Sequence, residues 1–160
     1  MKDFSKLVDD LTAAIETIPQ RVATEAVNFS KERFQEQAWK DESKETWKKR
    51  KTRRRGGAKR QKGAVLVDSG RLKRSIRIIS VSKDRAVIGT DVPYAEIHNE
   101  GFDGIQNVKA HTRRTRNGTA KVRAHARHMR MPQRRFMGES ATLNKRIELM
   151  ITAEIVRALK

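Results

Sequence analysis

The 160-residue chain contains no cysteine, and this absence excludes disulfide bonds, thiolate metal sites and cysteine nucleophiles together. It also lacks any apolar run of about 18 residues, so we expect no membrane-spanning helix. The opening residues, MKDFSKLVDDL, carry acids where a secretory signal peptide needs an apolar stretch. Export by that route is therefore not expected.

Apolar and aromatic residues are scarce. Hydrophobic residues make up 36% of the chain and aromatics 5%, and the mean hydropathy is −0.79. Soluble domains average roughly 45–50% apolar when glycine is counted. The sequence therefore predicts one core that is thin for the chain length, with segments outside it that neighbours must order.

Acids are absent from two stretches that carry the excess charge. Residues 48–62 hold ten Lys and Arg, and residues 109–135 hold ten more with three of the four His. The other 17 Lys and Arg face all 19 acids, so the rest of a chain with net charge +18 is nearly neutral. Such segments bind phosphate backbones or acidic protein surfaces, because pairing relieves their mutual repulsion. The alternative is a solvated loop whose charge only aids solubility.

Apolar spacing predicts helices at both ends of the chain. Residues 4–18 form an amphipathic pattern that Pro19 should end or kink, and a second helix should follow over 20–38. A last helix is predicted over 140–159, packed against the sheet. Its apolar stripe consists of Leu143, Ile147, Met150, Ile151, Ile155 and Leu159.

Short strands and helices are predicted between these ends. Residues 76–81 and 85–89 read as a hairpin with its turn at 82–84. Asp68 or Ser69 should cap a short helix through Ser75. Another short helix should lie between Pro93 and Gly101, since these residues suit a helix start and end.

The second basic stretch is predicted to be a hairpin, which we call the basic arm (107–130). Asn117-Gly118 should form its turn and place Thr112 opposite Arg123. Neither face is apolar enough for a core, so the basic arm should project and be held by a neighbour. With the basic loop (48–63), it completes a single α+β domain over 1–160, with N-terminal helices, a small antiparallel sheet, the projecting hairpin and a C-terminal helix.

Catalytic and metal-binding patterns are missing. No phosphate-binding glycine loop, dinucleotide fingerprint or G-x-S-x-G elbow occurs, and Ser69 is explained by a helix cap. His111, His125 and His128 sit in an acid-free block whose cations disfavour a metal. His98 is expected to be a buried or interface hydrogen-bonding group. We expect no enzymatic activity, no cofactor and no metal.

Nucleic-acid binding needs more than charge. The chain has no zinc-finger spacing or clear helix-turn-helix, and the basic arm has no aromatic residue on which a base could stack. Any DNA contact should therefore be to the backbone, weakened by salt and indifferent to sequence.

Four ordered blocks resemble a known family. They are Leu66–Ile76 (LVDSGRLKRSI), Ile88–Thr90 (IGT), Tyr94–Gly101 (YAEIHNEG) and Met131–Gly138 (MPQRRFMG), preceded by Trp47 and a basic stretch. Their order and spacing resemble the phage virion morphogenesis, or tail-completion, proteins of Mu-like tailed phages and prophages. Ser69, Asn99 and the long basic arm depart from the family pattern, so the partner of the basic arm stays open.

The resemblance implies a structural virion protein of the head–tail connector, or neck. It would complete or terminate the tail and join it to the capsid and portal as a homo-oligomeric ring, expected to be a hexamer, around the DNA channel. Implied partners are other neck, portal-adaptor and tail-tube or terminator proteins and DNA in the channel, without a membrane. The implied location is the virion, and the host cytoplasm during assembly.

Two sets of residues are candidates for these roles. Contacts to a partner subunit or to DNA backbone are assigned to Arg53, Arg54, Arg55, Arg113, Arg114, Arg116, Lys121, Arg123 and Arg127. Fold or interface anchors are Trp47, Leu72, Tyr94, His98 and Phe136. The alternative function is a sequence-independent nucleic-acid-binding protein that uses both basic segments. A hydrolase of the neck or tail is disfavoured by the missing acid pair and nucleophile elbow.

Overall fold

The computed structural model describes residues 3–49 and 63–160 and confirms the α+β class. In chain order the described elements are α1 (Phe4–Glu36), β1 (Ala38–Lys40), β2 (Lys44–Thr46), α2 (Arg71–Ser75), β3 (Arg77–Val81), β4 (Ala86–Gly89), α3 (Ala95–Glu100), β5 (Phe102–Val108), β6 (His111–Thr115), β7 (Gly118–Val122), β8 (His125–Met131) and α4 (Ala141–Ala158). Most of the basic loop lies outside the described residues.

Helix α1 is one continuous helix of 33 residues with Pro19 inside it, so the prediction of two separate helices was wrong. A proline fixes its own φ near the helical value and removes one backbone donor, which weakens a helix without requiring it to end. The helix ends where Gln37 adopts a left-handed conformation with φ 54°. The Gln37 side chain then holds the next described segment, since its Nε2 donates to the Val65 carbonyl at 3.0 Å.

Helix α4 packs along α1, and α1 also contacts β3 and β4. Arg146 bridges Glu25 at 3.3 Å and Glu32 at 3.0 Å, and Arg21 pairs with Glu154 near the other end. The two helices are therefore antiparallel. We expected α4 to cover the sheet, but α1 is its main neighbour because the long helix offers one side to the strands and another to α4.

The strands form four separate antiparallel pairs instead of one small sheet. The predicted hairpin of β3 and β4 is present, with a register irregularity between Ile78 and Ser80. Strands β1 and β2 form a small antiparallel hairpin directly after α1. The remaining pairs, β5–β8 and β6–β7, belong to the basic arm and its base.

These last two pairs form one long hairpin, Phe102–Met131. Phe102 lies opposite Met131 and Thr115 opposite Gly118, and the same register holds throughout, with a gap in the ladder at 109–110 and 123–124. The basic arm is therefore the outer part of a longer hairpin. At about 3.3 Å per residue, each side of the long hairpin extends roughly 45 Å.

The turn of the long hairpin differs from the prediction. Arg116 and Asn117 make the turn, which shifts the register by two residues, so that Thr112 lies opposite Lys121. The predicted mirror-image turn needs two residues with positive φ. Here Gly118 has φ 117°, whereas Asn117 is not among the described non-glycine residues with positive φ. Because side chains alternate with period two, the shift leaves each side chain on its predicted face.

The core lies between α1, α2, α3 and the segment before α4. Phe34 contacts Trp47 edge-on with centroids 5.5 Å apart and Phe136 at 5.1 Å. The buried cluster consists of Val27, Phe34, Trp47, Leu72, Ile76, Val92, Ala95 and Phe136. Helix α4 contributes no fully buried residue, so the core is one-sided and α1 is the main packing partner of α4.

Candidate assembly surfaces

The four sequence blocks meet at one junction beside the core. The first block reaches the second through Ser75, whose Oγ lies 2.6 Å from Thr90 Oγ1. Thr90 Oγ1 also accepts a hydrogen bond from the Val92 amide at 3.2 Å. These hydroxyls join α2 to the segment that leads into α3. Sequence reasoning assigned neither residue a role.

Asn99 joins the third block to the fourth. Its Oδ1 accepts hydrogen bonds from the amides of Phe136 at 2.9 Å and Met137 at 3.0 Å. Its Nδ2 donates to the Met137 carbonyl at 3.0 Å, and the Arg134 amide donates to the His98 carbonyl at 2.7 Å. We had counted Asn99 only as a departure from the family pattern. The sequence did offer one signal for this role. An asparagine near the end of a short helix can hydrogen-bond to the backbone of a distant segment.

A cavity of about 210 Å³ opens beside this junction, lined by the first block together with Tyr94 and His98. The two rings meet edge-on at 5.9 Å. Burial lowers the pKa of His98, and the Arg134 charge lowers it further, so the ring is neutral near pH 7. Its Nδ1 is buried without a hydrogen-bond partner in the described structure.

The cavity also contains Ser69 and Asp68, which raises the question of a catalytic triad. Ser69 Oγ accepts a hydrogen bond from the Arg71 amide at 3.3 Å, but Gly70 occupies the N-cap position of α2, so the predicted cap by Asp68 or Ser69 was wrong. Within residues 3–49 and 63–160, no hydrogen bond joins Ser69 to His98 or His98 to Asp68. The hydrogen bonds that define a nucleophile, base and orienting acid are thus missing from this arrangement.

The predicted anchor residues occupy different environments. Trp47, Leu72 and Phe136 lie in the core, and Trp47 Nε1 donates to the Arg135 carbonyl at 2.9 Å. This bond ties the end of β2 to the segment before α4. Tyr94, in contrast, is 41% exposed and stands beside His98 at the mouth of the cavity.

The basic arm presents its cations to solvent. Arg113, Arg114, Arg116, Lys121 and Arg123 are exposed, and none of them forms an ion pair with another described residue. Arg53, Arg54 and Arg55 of the basic loop lie outside the described residues. The structure therefore places the five outer arm residues on one projecting hairpin, with Arg113 on one face, Arg114, Lys121 and Arg123 on the other, and Arg116 in the turn.

Cationic side chains at the base of the long hairpin have partners, in contrast to those of its outer part. Asp103 is the one acid between residues 102 and 131, against eight Lys and Arg. It contacts His128 Nε2 at 3.0 Å and Arg130 Nε at 3.2 Å. Nearby, Arg127 donates twice to Gln106 Oε1, at 3.0 and 2.7 Å. Among the described residues, the partnered cations of the long hairpin therefore lie at its base, and the outer arm cations have no ion pair.

Two helices leave apolar side chains uncovered. Phe4 is 77% exposed, and Val8 and Ile15 on the same stripe of α1 are 45% and 47% exposed. On α4, Leu149 is 63% exposed and Val156 is 45% exposed. Large apolar side chains grouped on helices in this way are typical of interaction surfaces.

The described structure offers no separate metal or membrane feature. Within residues 3–49 and 63–160, no three His, Asp or Glu side chains are grouped closely enough to hold a metal ion. His111 and His125 instead place Nδ1 near neighbouring carbonyls, at 2.9 and 3.0 Å. None of the described helices has the length and hydropathy of a membrane span.

An α+β subunit with a one-sided core, uncovered apolar helices and a cationic arm has the features of an assembly protein. The comparison with protein families agrees, since the model of the phage virion morphogenesis family matches residues 2–156. The chain belongs to this family, which confirms the resemblance carried by the sequence blocks and supports a structural role in building the virion. Searches of curated proteins and of solved structures gave no match.

Proposed function

We propose that this protein is a structural component of the phage head–tail connector. It completes or terminates the tail and joins it to the capsid and portal as a homo-oligomeric ring around the DNA channel. The observation that carries this proposal is the family membership of a chain whose outer arm cations form no ion pair with described residues and whose two helices expose apolar side chains.

The energetics of the subunit support assembly. Burying exposed apolar area stabilises a complex by about 25 cal/mol per Å². Phe4, Ile105 and Leu149 are all more than half exposed, so each can contribute on contact with a neighbour. A two-stranded hairpin is marginally stable by itself, so contact with a neighbour would also order the basic arm.

A ring also suits the asymmetry of these surfaces. A cationic arm and an apolar helix are different patches, and contact between unlike patches is head-to-tail. Head-to-tail contacts form a closed ring when the rotation between neighbours closes. The cations not used between subunits would then face the DNA channel or the acidic surface of another neck, portal-adaptor or tail-tube protein.

The alternative function, sequence-independent nucleic-acid binding, rests on the exposed cations of the basic arm. It makes a different prediction about salt. Phosphate contacts release counterions, so affinity for a DNA duplex would be high at low salt and fall steeply as salt rises. A connector subunit would assemble without DNA, because its apolar contacts resist screening.

Two measurements test the connector role. Light scattering after size-exclusion chromatography should show a homo-oligomer, and negative-stain images should show rings. Particles made without the protein should comprise filled heads and separate tails. A monomer at every concentration examined, or normal virions without the protein, would overturn the proposal. Tight duplex binding by a monomer near physiological salt would favour the alternative.

A further inference from the structure

We propose that the basic arm of one copy binds the N-terminal end of α1 in the next copy of this chain. The receiving surface is residues 4–15, which we call the free end of α1. This inference rests on the proposed ring and specifies which two surfaces form its repeating contact.

The free end of α1 extends past its partner helix. The antiparallel packing places Glu154 against Arg21, and α4 ends four residues later at Ala158. Most of the free end therefore lies beyond the end of α4, and it spans roughly 16 Å at 1.5 Å per residue. Its apolar stripe continues the one that α4 covers, so the same kind of contact remains unmade there.

One face of the basic arm offers a matching row of small apolar side chains. Ala120 and Val122 share a face with Arg113 and His111, their partners across the strands. Ala124 and Ala126 continue this row at every second position. The row runs about 20 Å, close to the length of the free end. Small side chains let a helix approach closely, and the large side chains of the free end fill the space above them.

Charge favours a second copy of the chain, bound through the free end of α1, over contact with another basic arm or with DNA. The free end carries two acids and one lysine, whereas the face of the basic arm that bears the alanine row carries Lys109 and Arg113 and no acid. Contact between two arms would oppose like charges, which disfavours it. DNA backbone would satisfy the cations but would leave the alanine row and the free end uncovered. A second copy brings acids to Lys109 and Arg113 on the face of the alanine row and covers both apolar surfaces.

The cysteine-free sequence makes a direct test possible, because each introduced thiol is unique. Val8→Cys and Ala124→Cys are prepared as separate proteins, mixed and oxidised. A disulfide between them must be intermolecular, and we expect a covalent heterodimer as the main product. A single chain with both substitutions should give a ladder of linked subunits. Leu149→Cys mixed with Ala124→Cys is the matched control, because Leu149 is well exposed but lies on α4.

The outcomes separate this inference from the proposed function. If rings form but Val8→Cys and Ala124→Cys do not crosslink above the control, the contact is wrong and the ring stands. If the protein remains a monomer, both proposals fail. If the basic arm binds a DNA duplex while crosslinking stays at the control level, the basic arm serves nucleic acid instead.

A charge reversal gives a second, independent test. Arg113→Glu should weaken subunit association about tenfold, because the Arg113 side chain shares the face of the alanine row. Adding Asp9→Lys in the same chain should restore part of the lost affinity. Arg114→Glu is the control, because its side chain lies on the opposite face of the same strand. Equal weakening by Arg113→Glu and Arg114→Glu would show that the face does not matter and would overturn the contact.

Discussion

The two tryptophans on either side of the β1–β2 hairpin differ in one hydrogen bond. Both are buried, but Trp47 Nε1 donates to the Arg135 carbonyl, whereas Trp39 Nε1 has no partner in the described structure. Trp47→Phe should therefore cost about 1–2 kcal/mol more in unfolding free energy than Trp39→Phe, because it leaves a carbonyl unpaired. Urea denaturation of both variants measures this. An equal or larger cost for Trp39→Phe would contradict it.

His98 makes stability depend on pH. Its pKa lies below the ordinary value of 6.5 in the folded chain, first because of burial and second because of Arg134. The unfolded chain therefore takes up the proton more readily, so the contribution of His98 is complete above pH 6.5 and is lost as pH falls through the folded pKa.

Replacing His98 should flatten this dependence. In His98→Gln the fall in unfolding free energy between neutral and mildly acidic pH should be smaller than in the unsubstituted protein, because no imidazole is left to protonate. His125→Gln serves as control, since that side chain is exposed on the basic arm. Denaturation curves at several pH values decide, and parallel pH profiles for all three proteins would refute the assignment.

Apolar spacing identifies most core residues but not the polar residues that join elements. Phe34 and Phe136 are large and apolar, and burial follows from that. Arg33 is fully buried, yet a charged residue gives no such signal in a sequence. Its guanidinium stacks over Phe29 at 4.3 Å and pairs with Glu36 at 3.2 Å, both within α1, so helical spacing offers these partners although it does not signal the burial. Asn99 escaped prediction for a different reason, because its partners lie 37 and 38 residues away.

At the scale of elements, Ser140 caps helix α4 and also joins it to β1. Ser140 Oγ accepts a hydrogen bond from the Leu143 amide at 3.2 Å and donates one to the Lys40 carbonyl at 2.8 Å. Ser140→Ala should lower the unfolding free energy by about 1–3 kcal/mol, since it removes a helix cap and a tertiary bond together. Thermal denaturation measures the loss.

Thr152→Ala is the control on the same helix. Its hydroxyl donates only to the Glu148 carbonyl one turn earlier, and the side chain is exposed. Alanine is also the better helix former, so this change should be neutral or slightly stabilising. If the two variants were equally destabilised, the cap and the bond to Lys40 would carry no special weight.

Element types were easier to predict than their packing. The alternation over 76–89 and the stripe over 140–159 are local signals, and both elements formed. The partner of α4 was not a local matter, because it depends on α1 lying between the strands and α4 in the folded chain. The predicted register of the long hairpin was wrong by two residues. An Asn-Gly pair is compatible with more than one turn, and the turn that forms has a positive φ at Gly118 and not at Asn117.

For the whole molecule, the core residues differ from the residues of the proposed subunit contact. The core uses Phe34, Trp47 and Phe136, and none of these belongs to the basic arm or the free end of α1. Family membership could be predicted from the sequence because its blocks build the junction beside this core. The proposed contact surfaces could not be predicted from the sequence. A cation or apolar side chain indicates a contact surface only when the described structure shows that it is exposed and has no partner.

This separation predicts the effect of shortening the basic arm. The ladder gap at 109–110 and 123–124 marks a place to cut, so residues 110–123 can be replaced by Asn-Gly while β5 and β8 stay paired. We expect an unchanged melting temperature for the domain, because the removed segment contributes nothing to the core. We expect loss of the homo-oligomer, because the outer cations and half of the alanine row, Ala120 and Val122, are removed. Calorimetry and light scattering measure the two effects.

A full-length variant separates length from charge. Arg113, Arg116 and Arg123 changed together to Gln keep the long hairpin but remove three exposed charges. If charge steers assembly, this variant should associate more slowly than the unsubstituted protein, with a difference that shrinks at high salt. Its apolar row still gives residual association, which the shortened arm lacks. Oligomers of normal size and rate from the shortened protein would show that the basic arm has another task, and the search for its partner would move to DNA.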